Sequence, residues 1–174
     1  MKRLRSFPIF IAICCMLIGN AAITTNTTSA AASAVVDNLS PATNRELALA
    51  RYATAKYHDF DRADRDGYDF LACVPGEGLE YVNWSLVFDC NFDIEHPEAL
   101  HYIETANGLK LVGVEYVVPV ACTSTAPEGF TGDADEWEFE AEGLPIWALR
   151  AAIWLPNPEG MFAEHNPRIT TQCP

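Results

Sequence analysis

Apolar and polar positions are most strongly patterned between Leu100 and Pro119, where Asn107-Gly108 interrupts two runs of β-forming residues. This layout predicts a β-hairpin closed by a tight primed turn, because both central residues of such a turn need positive φ and Asn-Gly supplies it. The second arm, Leu109 to Val118, is apolar on both faces. One face carries Leu109, Leu111, Gly113, Glu115 and Val117, and the other Lys110, Val112, Val114, Tyr116 and Val118. An arm apolar on both sides predicts a central strand.

Upstream, Thr43-Asn-Arg-Glu46 has capping-box spacing and predicts a helix from Asn44 to about Asp59, with Leu47, Ala50, Thr54 and Tyr57 on one stripe. Pro75-Gly-Glu-Gly78 reads as a turn. Leu79 to Phe88 reads as a strand with Glu80, Val82, Trp84, Leu86 and Phe88 on its buried face. Residues 119–135 form a loop, Asp135 to Glu142 an edge strand or acidic flap, and Pro145 to Leu155 a last strand before an irregular tail. Together these predict an α+β domain, an N-terminal helix packed on an antiparallel β-sheet, with a small barrel as the curled form of that sheet.

Lys2, Arg3 and Arg5 precede an apolar run from Phe7 to Ile18 and then a stretch of small residues, the layout of a secretory signal peptide. The run is short for a bilayer, so no stable membrane span is expected. We therefore expect residues 1–34 to be a signal peptide and 35–174 a single secreted domain, extracellular or periplasmic. The formal net charge is −13, and cleavage would remove three cations and no acid. Such a surface repels phosphate backbones, which excludes nucleic acid as a partner and leaves small molecules or cations. Beyond the leader stand Cys73, Cys90, Cys122 and Cys173. Four cysteines in an exported chain, none in C-x-x-C spacing, predict two disulfides of open connectivity rather than a zinc site.

Three predicted strands each place a charged residue among apolar neighbours: Glu80 beside Val82, Glu115 beside Val117, and Arg150 beside Ala148 and Ala152. A charge on a core face is expensive unless paired or liganded. These residues can bridge one another and floor a ligand cavity, with His58 and His101 candidates to join them. In the blander reading, Glu80 and Arg150 sit in water at strand mouths. His58, Glu80 and Glu115 make a candidate metal set, since one imidazole and two carboxylates suit Mn, Fe or Zn. Arg150 argues against a divalent metal, because a guanidinium repels a cation and cannot ligate it. Asp59, Asp61, Asp64 and Asp66 resemble a calcium loop, but no register supplies the glycine and the glutamate that such a loop requires.

Tyr57-His-Asp-Phe-Asp-Arg-Ala63, Val114-Glu-Tyr-Val-Val-Pro119 and Asn157-Pro-Glu-Gly-Met-Phe-Ala163 resemble motifs of a family of uncharacterised exported proteins, over roughly residues 44–173. The resemblance implies histidine at the positions held here by Glu80 and Arg150, alongside Glu115, a His–Glu–His set that would look like a metal site. This chain departs from that pattern at both histidines. The leading functional expectation is a secreted binding protein with an internal polar pocket for a small ligand or cation. The alternatives are a metal-dependent enzyme and a structural or interaction protein presenting Trp137, Trp147 and Trp154.

Overall fold

The structure, a computed structural model, describes residues 38–139 and 141–173. The predicted signal peptide lies outside the described residues. Helix α1 spans Pro41–Thr54, with Pro41 in its first turn, where a missing N–H costs nothing. Its cap is Ser40, whose hydroxyl accepts from the Thr43 amide at 3.0 Å. The cap and helix start predicted at Thr43 and Asn44 are thus corrected. Thr43 is buried, and its hydroxyl donates to the Thr131 carbonyl. The helix buries Leu47, Ala50 and Thr54, and Arg51 Nε donates to the Ile153 carbonyl at 2.9 Å. A 3-10 turn, Ala55–His58, and helix α2, Phe60–Arg65, follow.

Strands β1 (Asp69–Val74), β2 (Gly78–Val82), β3 (Ala99–Thr105), β4 (Gly108–Pro119), β5 (Glu138–Phe139) and β6 (Ile146–Ala151) form one antiparallel sheet in the order β1-β2-β3-β4-β6-β5. The sheet is open, which overturns the barrel. Closure needs a ladder between β1 and β5, and β5 has two residues with which to make one.

Three local expectations are also corrected. First, the strand expected over Leu79–Phe88 ends at Val82. Asn83 turns the chain into a short helix, α3 (Trp84–Val87), its carboxamide oxygen accepting from the Ser85 amide at 3.0 Å. Trp84 and Phe88 therefore leave the buried face, and Phe88 is 72% exposed. Second, the hairpin turns at Ala106 and Asn107, with Thr105 opposite Gly108; Gly108 has φ 103° while Asn107 stays at negative φ, so the turn is not a primed one. Third, the pairing of β3 with β4 shifts between His101 and Tyr102, opposite Gly113 and Leu111, so that Val112 is an extra residue. This bulge moves Leu111 to the face of Val114.

The sheet thus has two unlike faces. Leu100, Tyr102, Leu111, Val114, Tyr116 and Leu149 form the main core with Leu47 and Ala50 of α1. The opposite face carries a smaller apolar cluster, Val82, Ala99 and Val117 with Val87 of α3, and beside it a row of charges. Disulfides join Cys73 to Cys173 and Cys90 to Cys122. They fit an oxidising compartment, extracellular or periplasmic. No helix among the described residues is long and apolar enough to cross a membrane.

Candidate functional site

Strand register builds the row of charges. Glu80 lies opposite His101, His101 opposite Gly113, and Glu115 opposite Arg150, so β2, β3, β4 and β6 each present one ionisable group on the same face. Glu115 is the hub. Its Oε2 lies 2.8 Å from His101 Nε2 and 3.1 Å from Arg150 Nη2. The same Nη2 meets Glu77, which enters from the turn between β1 and β2. Arg150 Nη1 donates to the Glu164 carbonyl at 2.7 Å, which fixes the other side of the fork.

Glu77 is the member that sequence reasoning missed. Between two glycines in a turn, a carboxylate reads as surface. Here Gly76 and Gly78 have φ of 83° and 98°, and the Asn166 amide donates to the Gly76 carbonyl at 2.8 Å, folding the tail over the turn. Asn157 and Asn166, each followed by a proline, serve the same cover. Asn157 Nδ2 donates to the Ala163 and His165 carbonyls, and Asn166 Nδ2 to that of Leu155. Glu80 is buried in the row. His58 stands elsewhere. Its ring meets Trp154 edge-on at 4.3 Å, and Trp154 packs against the main core on the helix side, so His58 does not join Glu80 and Glu115.

Burial would raise the Glu115 carboxyl, but the Arg150 guanidinium, with help from His101, reverses this and holds it down at about 2. Burial lowers His101, and the neighbouring Arg150 charge lowers it further, against the opposing pull of Glu115. His101 is therefore a neutral imidazole that donates from Nε2 to Glu115, a tautomer assigned from the hydrogen bonding. Nδ1 is then a bare lone pair, buried and without a hydrogen-bond partner among the described residues. Burial also works against the Arg150 charge, and Glu115 and Glu77 overcome it, so the guanidinium is held ionised.

Glu77, His101 and Glu115 each offer a ligand atom, all within 4.8 Å of one another. Glu164 and His165 make a second, more exposed group with Glu77. Two carboxylates and an imidazole can hold a divalent cation. Arg150 salt-bridges both carboxylates of the first group and so competes with a metal for them. A small cavity of about 40 Å³ opens onto the cluster, lined by Glu77, Glu115, Glu136, Glu138, Arg150 and Glu164 among others. The domain therefore has a buried acidic and histidine cluster able to meet a cation or a small molecule. No family model matches the chain, and no curated protein or solved structure matches it.

Proposed function

We propose that this exported domain binds a divalent cation through Glu77, His101 and Glu115 and uses it as a metal-dependent enzyme, with Arg150 as the counter-charge of the metal-free state. The observation that carries the reading is the convergence of three buried ligand atoms of N, O and O type within 4.8 Å. Three protein ligands leave open positions for water or substrate, as catalytic sites require. Without a metal, the guanidinium neutralises the carboxylates and keeps the ligand geometry assembled. An entering cation takes over those oxygens. Arg150, still tied to the Glu164 carbonyl, is then free to meet an anionic group on a substrate. The acidic cavity at the cluster draws cations inward.

The contacts of Arg150 favour a second reading, in which the ion pairs persist and floor the pocket of a small-ligand binding protein. Calorimetric titration of untagged, chelator-treated protein with Zn(II) or Mn(II) separates the two. The metal reading expects one saturable equivalent, lost in Glu77→Gln and weakened in His101→Ala. Heat that never saturates, in a folded sample, removes it.

A further inference from the structure

On the same face, a second cleft of about 50 Å³ lies on the other side of Glu115, between α3 and the start of β6. Its character is different. Val82, Val87, Val117 and Ile146 form apolar walls, Trp84 and Leu144 stand on the rim, and Glu80 and Glu115 line it as well. Trp84 and Leu144 are each 43% exposed, although both are large and apolar.

Charge then selects among small molecules. Arg150 faces the neighbouring cavities and does not line this one, and no lysine or histidine among the described residues does, so an anion would meet only carboxylates there. A carboxylate has about four acceptor sites, so Glu115 keeps acceptor capacity beyond the contacts it already makes. On Glu115, both His101 and Arg150 use the same oxygen, Oε2. The chain is acidic overall, which favours the approach of a cation.

We propose that this cleft binds a small organic cation, an aryl- or alkylamine, with its apolar part between Trp84 and Leu144 and its ammonium on Glu80 and Glu115. The site borders the histidine–carboxylate cluster but does not rest on metal binding, so it is tested in the presence of a chelator. Tryptophan fluorescence of the wild-type domain is titrated with phenethylamine, with its neutral counterpart phenylethanol, and with the anion phenylacetate. Saturable binding of the amine is expected in the millimolar range or tighter. The alcohol should be roughly tenfold weaker for want of a charge-assisted hydrogen bond, and the anion should not bind. Glu80→Gln should weaken the amine by about the same factor. Leu144→Ser, on the rim, should weaken amine and alcohol alike.

Equal affinity for amine and alcohol overturns the proposal, as does the absence of saturation with the amine. Unchanged amine affinity in both variants places the amine elsewhere and also overturns it. The three-ligand comparison on the wild-type protein decides the matter even if Glu80→Gln does not fold.

Discussion

Two buried glutamates sit in opposite electrostatic settings. Glu98 is 1% exposed and accepts from the Val117 amide at 2.9 Å. The neighbouring Pro97 carbonyl is taken by the Tyr68 hydroxyl, so the Glu98 side chain serves a strand N–H beyond the end of the β3 ladder. Burial pushes the Glu98 carboxyl up to about 8. The folded form then keeps a proton that the unfolded chain releases, and stability should fall as pH rises from about 4.5 to about 8. Glu98→Gln keeps an acceptor for Val117 and removes the titration. Urea unfolding at about pH 5 and about pH 8 should show a smaller decline in that variant than in the wild type. Identical slopes would contradict the assignment. Glu115 has the reverse sign. Its folded value of about 2 lies below the ordinary 4.5, so its contribution is present above 4.5 and is lost as pH falls toward 2. Glu115→Gln leaves Arg150 half-paired and should cost roughly 3–5 kcal/mol at neutral pH, measured by denaturant unfolding, with a flatter acid limb.

Among the elements, the turn from β1 to β2 delivers Glu77 and sets the register against β3. Gly78 has φ 98°, and a Cβ there would collide with the Tyr102 carbonyl oxygen. Gly78→Ala should therefore cost roughly 2–4 kcal/mol in unfolding free energy and loosen the cluster as well. A near-neutral change would mean that the turn can be rebuilt without effect on β2. At the other end of the domain, Ser40→Ala should cost about 1 kcal/mol as the loss of an N-cap.

The helix and the hairpin were legible in the sequence because their signals are local: a stripe at three- and four-residue steps, and two β-forming runs around a turn. Strand β1 was not legible. It is an edge strand that exposes Asp69, Phe70 and Leu71 together, so it shows no alternation. The end of β2 was hidden for a related reason, since the alternation continues through Trp84 and Phe88 while the Asn83 cap diverts the backbone. In the site, the approach of Glu115 to Arg150 could be read from charges on apolar strand faces. The burial of Glu77 could not, because it depends on the tail more than eighty residues downstream folding over the turn. His58 was misplaced because helix spacing does not reveal that Trp154 takes its ring.

Across the whole molecule, the two disulfides hold what the open sheet does not close. Cys73–Cys173 ties edge strand β1 to the end of the tail that covers Glu77, across a sequence separation of 100. Replacing both cysteines with serine should cost about 2–5 kcal/mol in denaturant unfolding. It should also expose the cluster, which faster exchange of the Asn166 amide would report. On the proposed function, the carboxylates and imidazole of that cluster form a cation site whose ligands Arg150 holds by charge. Thermal unfolding of the wild type and of Arg150→Met, each with and without Zn(II) or Mn(II), tests this most directly. Removing the guanidinium strands Glu77 and Glu115 beside each other, and a bound cation should restore what was lost. Arg150→Met should be strongly destabilised without metal, and its melting temperature should rise on metal addition by more than that of the wild type. A variant that gains no more from metal than the wild type, or that stays unfolded with metal present, would contradict the claim.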